Sequence, residues 1–178
     1  MQQVVLVNED DVELGTMEKM ETHRKGLLHR AFSIFIFDQY GRMLLQQRSA
    51  DKYHGALLWS NACCSHPFPG EKIEDAAQRR LMEELGFQAP LQKIFTFLYR
   101  AEVENGLIEH EMDHVFTGEY QGRIRINPKE VSAYEYASME WLRKKLQTDP
   151  GLFTTWLRIA FPRVEEWWSE NYPSEDKI

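Results

Sequence analysis

Apolar residues fall in short blocks along most of the chain, and the spacing within each block indicates what it builds. QQVVLVN, the acidic turn Glu9–Asp11 and VELGT read as an opening hairpin. Thr16 to Lys25 is polar and reads as helix or loop. HRAFSIFIFD is dense in aromatic and β-branched residues, the mark of a buried strand, and Gln39-Tyr40-Gly41 turns the chain into a second strand, RMLLQQR. Ala50 to Ala56 reads as loop, and LLWSNACCSHP as an extended stretch closed by Pro67 and Pro69. The period then changes. In EKIEDAAQRRLMEELGF, Ile73, Ala77, Leu81 and Leu85 recur every four residues, one apolar face of a helix running from Glu71 to Gly86. Glu74 and Asp75 suit its first turn and Gly86 its end. KIFTFLYRAEV and LIEHEMDHVFTGEY flank Glu104-Asn105-Gly106, an Asn-Gly hairpin signal. Tyr134 to Ala137 reads as one more strand, and the end of the chain as two helices broken at Asp149-Pro150-Gly151. Strands enclosing one strong helix, with further helices at the end, predict an α/β fold: an α/β/α layered domain with a mixed central sheet.

At 178 residues the chain suits one domain with a sizeable core. It has no apolar run long enough to span a bilayer and no basic-then-apolar leader, so the expectation is a cytoplasmic protein without a membrane partner. The formal net charge of −7 argues against a nucleic-acid surface; a small anion would have to be held by a few local cations or by a metal. The two cysteines are the neighbours Cys63 and Cys64, whose Cα atoms, ~3.8 Å apart, are too close for ordinary disulfide geometry. A reducing compartment fits.

Alternate residues of a strand share a face, so Glu109 and Glu111 point together and His110 points away. Two adjacent carboxylates repel unless a cation or proton intervenes; the pair reads equally as a solvated edge. If Cys64-Ser65-His66 is extended, thiol and imidazole also share a face, either as an activated pair or as a buried Cys beside a satisfied His, while Cys63 fills core. His23 and His29 precede the first core strand. With His66, Glu109 and Glu111 they compose a nitrogen-and-carboxylate set suited to six-coordinate Mn²⁺ or Mg²⁺ more than to a closed structural zinc site. Arg79/Glu83 and Arg80/Glu84 are spaced for ion pairs along the helix.

The helix segment resembles the Nudix box, GX5EX7REUXEEXGU: Glu71, Arg79, Glu83, Glu84 and Gly86 match, whereas Ser65 stands for the leading Gly and Arg80 for the Glu of the RE pair. That lost Glu is a metal ligand in Nudix hydrolases, which disfavours the alternative of a Nudix-type diphosphate hydrolase. The departures are those of one branch. LLHRAFSIFIF, WSNACCSHP, YRAEVENGLIEHE and FTTW resemble the type 1 isopentenyl-diphosphate isomerases, and the similarity runs from about Thr16 to about Trp156.

The resemblance implies a Nudix-like sandwich with an N-terminal hairpin extension. It implies an isomerase that interconverts isopentenyl and dimethylallyl diphosphate by a metal-dependent 1,3-allylic proton shift. Cys64 and Glu111 correspond to the catalytic pair and Tyr99 to the tyrosine beside the glutamate. His23, His29, His66, Glu109 and Glu111 correspond to a site for Mn²⁺ or Mg²⁺, with Zn²⁺ as an alternative, and Glu84 to the ligand of a substrate-linked Mg²⁺. Lys19, Arg48, Lys52 and Arg80 correspond to the cations that hold the diphosphate, and Trp156 to the indole at the hydrocarbon end. His23 and His29 are six apart, one fewer than in some bacterial members, across a segment that reads as loop. The partner implied is a small isoprenoid diphosphate, and the expected assembly a monomer or weak homodimer. No role is legible in the polar tail after Tyr172.

Overall fold

A computed structural model describes residues 2–172; the tail after Tyr172 lies outside them. The opening hairpin forms as β1 (Gln3–Val7) and β2 (Glu13–Glu18), and helix α1 (Lys19–Lys25) follows at once. The polar stretch from Thr16 is therefore strand for three residues and helix for seven. Then come β3 (His29–Phe37), β4 (Met43–Arg48), β5 (Trp59–Asn61), β6 (Cys63–Ser65), α2 (Ile73–Leu85), β7 (Leu91–Glu102), β8 (Ile108–Glu119), β9 (Val131–Ala137), α3 (Met139–Thr148) and α4 (Thr155–Asn171). Glu71 precedes α2 rather than beginning it: its carboxylate accepts the Phe68 N–H and pairs with Arg79.

The central strand is β3. One edge pairs in parallel with β8 over its whole length, from His29 opposite Glu111 to Phe37 opposite Glu119. The other edge is shared in succession by β1 at His29, β6 at Phe32–Ile34 and β4 at Phe37. Antiparallel β7 extends the sheet beyond β8, while β5 and β9 flank β4. The sheet is thus mixed, and it is covered on both faces.

Strand alternation divides the chemistry. Even-numbered residues of β3 (Phe32, Ile34, Ile36) pack on Ala76, Ala77, Leu81 and Leu85 of α2. Odd-numbered Phe35 and Phe37 pack on α3 and α4 through Met139, Leu142, Leu157 and Phe161. That second face turns polar toward the start of β3, at His29 and Ser33, where Cys64 pairs with Ser33 and Glu111 with His29. The site is therefore the polar half of a face whose other half is core, held rigid by the same strands.

Gly86 ends α2 at φ 74°, and a Cβ there would lie 2.7 Å from the Arg125 carbonyl oxygen, so both backbone conformation and space demand glycine. Among the described residues no helix is long and apolar enough to cross a membrane.

Candidate active site and metal centre

His23 sits in the last turn of α1. Gly26 stops that helix in the left-handed region, φ 62°, so three residues suffice to turn the chain and bring His29 beside it. The intervening segment is helix end and cap rather than loop, and the ring centroids of His23 and His29 are 4.8 Å apart. His66 follows β6, and Glu109 and Glu111 project from β8. Donor atoms of His23, His29, His66 and Glu111 lie within 4.8 Å of one another, and so do those of His23, His54 and Glu109. The five residues named from the resemblance thus fall into two groups that share His23, and His54 belongs to the second.

The rings are set by their outer hydrogen bonds. His23 Nδ1 lies 2.7 Å from the Lys19 carbonyl oxygen and His29 Nδ1 2.9 Å from that of Leu27. A carbonyl only accepts, so in the neutral rings Nδ1 carries the proton and each Nε2 presents a bare lone pair inward. His23 Nε2 is buried without a hydrogen-bond partner, 3.5 Å from Glu109 Oε2. His29 Nε2 is 3.2 Å from His66 Nε2, which is 3.0 Å from Glu111 Oε1. Burial holds His66 well below the ordinary imidazole range, and the charges of His29 and Lys19 add to it. Inward lone pairs, two carboxylates and an orphaned buried nitrogen are the donor set of a divalent ion, and the cluster can hold one.

Glu111 is the pivot. Its second oxygen accepts the Tyr99 hydroxyl at 2.8 Å, across the β7–β8 register that sets Tyr99 opposite Glu111. Burial acts to raise its pKa, but the neighbouring His29, then Glu109 and the Tyr99 hydroxyl, pull it down to about 2. Cys64 is the reverse case. Burial raises its thiol strongly, and the nearby Asp113 adds to this, so it stays protonated. Its Sγ lies 3.1 Å from Asn61 Oδ1 and 3.3 Å from Ser33 Oγ. The Asn61 amide donates to the carbonyls of Ile34 and Cys63, which turns its oxygen toward the sulfur; Ser33 donates to Asp113. Cys63 lies in the core under α2.

Cys64, His66, Tyr99, Glu109 and Glu111 line one cavity of about 60 Å³ with Lys19, Arg48, Lys52, Arg80 and Trp156. Lys52 and Arg80 both pair with Glu130, and Arg80 also binds Glu83 and Glu84. Arg48 donates to the carbonyls of Gly55 and His54 and lies over one face of the Trp156 indole, 5.1 Å from its centroid. The indole N–H donates to Ser60. Glu84 is not in the cavity wall: buried behind Arg80, it accepts from Arg80 at 2.5 Å and Gln46 at 2.8 Å. His23 and His29 are not in the wall either, but they belong to the converging donors, whereas Glu84 belongs to neither group.

Three residues here carried little sequence signal. Asn61 lies within the WSNACCSHP segment, which gave its place but no role. His54 and Glu130 lay in stretches whose composition says only loop or strand start.

Comparison with known proteins accords with this geometry. Residues 27–157 match the NUDIX domain family. The chain is 48% identical over 166 residues to an isopentenyl-diphosphate Delta-isomerase of Pectobacterium atrosepticum, covering 93% of each. It is 50% identical over 162 residues to isopentenyl-diphosphate Delta-isomerase 1 of Aromatoleum aromaticum, covering 91% of this chain and 92% of that one. In fold it resembles a crystal structure from Deinococcus radiodurans (TM-score 0.69, 18% identity, 83% of this chain and 90% of that one). It also resembles a MutT NUDIX hydrolase from Burkholderia pseudomallei (TM-score 0.61, 21% identity, 77% and 98%). With the similarity running through nearly the whole of both chains, this chain belongs to the isopentenyl-diphosphate Delta-isomerase family, built on a NUDIX domain.

Proposed function

We propose that the chain interconverts isopentenyl diphosphate and dimethylallyl diphosphate, with Cys64 and Glu111 exchanging the protons. The observation that carries this reading is a thiol and a carboxylate lining one cavity together with four cations; burial favours the protonated thiol, and the neighbours of Glu111 favour its ionised form. Protonating an unactivated alkene needs a positioned acid away from water. In the forward direction the Cys64 S–H bond breaks and its proton joins the terminal alkene carbon, leaving a tertiary cation at C3. Glu111, steadied by Tyr99, removes a proton from C2, and the C–H electron pair forms the new double bond. The thiolate and carboxylic acid left behind return to their starting forms by proton exchange with solvent. The Trp156 indole, which lines the cavity, would supply a quadrupole toward the cation, worth up to about 2 kcal/mol where water is excluded.

His23, His29, His66, Glu109 and Glu111 would hold Mn²⁺ or Mg²⁺, with Zn²⁺ the alternative. That ion would supply fixed positive charge beside the reacting carboxylate and keep it ionised. Glu84 would serve a second, substrate-linked Mg²⁺ once Arg80 turns to the diphosphate. Lys19, Arg48, Lys52 and Arg80 would hold the diphosphate, and Arg80 stands where the hydrolase pattern needs a carboxylate. Purified protein with Mg²⁺ in D₂O converts isopentenyl diphosphate to its isomer and carries deuterium into the product, both read by NMR. Release of phosphate or pyrophosphate without isomer would favour hydrolysis instead.

Lys19 adds a pH signature. Its ammonium is lowered to about 8, first by burial and then by the Lys52 charge. A lysine so shifted is charged below that pH and neutral above it. kcat/KM therefore falls about tenfold as pH rises through about 8, consistent with the value of one charge-assisted phosphate contact. In Lys19→Arg, whose guanidinium keeps its proton, this step disappears from the kcat/KM profile.

A further inference from the structure

The loop between β4 and β5 is fastened from both sides. Arg48 donates to the carbonyls of His54 and Gly55, the Gly55 N–H donates to Glu104, and Asn105 donates to the Tyr53 carbonyl. What these bonds hold in place is the His54 ring. It is 4% exposed and boxed edge-on between Tyr53, at 4.5 Å, and Trp156, at 5.7 Å. Its Nε2 lies 2.6 Å from Glu109 Oε1, and its Nδ1 is buried with no partner. A carboxylate oxygen at that distance requires a donor, so Nε2 carries the proton and Nδ1 is the bare nitrogen.

We propose that His54 is a positioning residue for the metal centre: its Nε2–H engages Glu109 Oε1, so that Glu109 offers only Oε2, the oxygen nearer His23, to the ion. Unrestrained, Glu109 can swing or bind through both oxygens. With one oxygen committed, it contributes a single donor at a fixed angle beside the inward nitrogens of His23, His29 and His66. The same ring abuts Trp156, so a single loop residue registers the metal centre against the hydrocarbon end of the cavity. The inference rests on the metal reading above.

The test is Co²⁺ titration of the full-length, chelator-stripped protein, followed by its visible d–d absorption, which responds to ligand identity independently of turnover. His54→Leu, which cannot donate, is expected to weaken Co²⁺ binding about 10–100-fold, as lost outer hydrogen bonds to a metal ligand generally do. His54→Gln, whose amide N–H can still reach Glu109, is expected to bind within a few-fold of wild type with an unchanged spectrum. Equal weakening in both variants with a shifted spectrum would make His54 itself a ligand and overturn the proposal; unchanged binding in both would overturn it too. If His54→Leu fails to fold, His54→Ala replaces it, with free imidazole expected to restore binding and failure to do so counting against the proposal. His29→Ala is the control for the centre itself. If wild type takes up no Co²⁺, or His29→Ala takes it up equally well, the metal reading fails and this assignment falls with it.

Discussion

Cys64→Ala and Glu111→Gln each lower kcat for isomerisation by about 10²–10⁴-fold, the span that a positioned acid or base contributes, while Cys63→Ala stays within a few-fold of wild type. The contrast between neighbouring cysteines is the informative part. Both lie on β6, but the pleat sends Cys63 into the core under α2 and Cys64 into the cavity. Cys63→Ala removes only packing. Cys64→Ala removes the sole thiol lining the cavity, leaving Asn61 and Ser33 with nothing to hold there. Glu111→Gln keeps the shape but not the charge. Its amide oxygen can still accept from Tyr99 or His66, but not as an ionised base, and its NH₂ would point at one of those donors. Steady-state kinetics separates the roles: a fall in kcat with KM nearly unchanged means chemistry, whereas a rise in KM alone means binding. Equal losses in all three variants would mean that the two cysteines do not divide between faces.

The division of faces was legible because it follows from the two-residue period of a strand. HRAFSIFIF and EHEMDHVF settle which side chains share a side once they are known to be strands, and they pair over their full length. The convergence of His23, His29 and His66 was not legible that way. It depends on a seven-residue helix ending at Gly26 and on β6 crossing the middle of β3, and neither leaves a periodic trace. Resemblance supplied those residues. His54 escaped because a lone histidine in a polar stretch is indistinguishable from a surface one until the loop is seen pinned by Arg48, Glu104 and Asn105. Glu130 escaped for a similar reason: it lies next to the start of β9, and only the fold brings it between Lys52 and Arg80, 78 residues from the former. Charge counting called for a few local cations, or a metal, wherever a small anion is held. In the folded chain Lys52 and Arg80 already share the Glu130 carboxylate, so under the proposed function diphosphate binding would be an exchange of partners and would cost the chain that ion pair.

Stripping the protein with a chelator abolishes turnover, by at least about 100-fold, and lowers its melting temperature by roughly 10 °C, the size expected from losing an ion present at several hundred times its Kd in a chain of this length. The effect is large because of what remains. Three imidazoles and two carboxylates, all buried, are left to satisfy one another. His23 and His29 already spend their Nδ1 protons on carbonyls, so without an ion a ring must take up a second proton or leave its lone pair facing others at close range. His66 resists that proton, held low by burial and by the charges of His29 and Lys19. The apo cluster is therefore a set of buried acceptors short of donors, a costly arrangement in a low-dielectric interior. Differential scanning calorimetry with and without chelator measures the stability loss, and adding back Mn²⁺, Mg²⁺ or Zn²⁺ singly ranks the ions by recovery of both signals. An unchanged melting temperature and turnover after verified removal would mean that protons alone satisfy the cluster. Glu84 separates from this site in the same experiment: its oxygens are occupied by Arg80 and Gln46, so Glu84→Gln should leave the recovery of the melting temperature intact and raise only the Mg²⁺ requirement for diphosphate turnover.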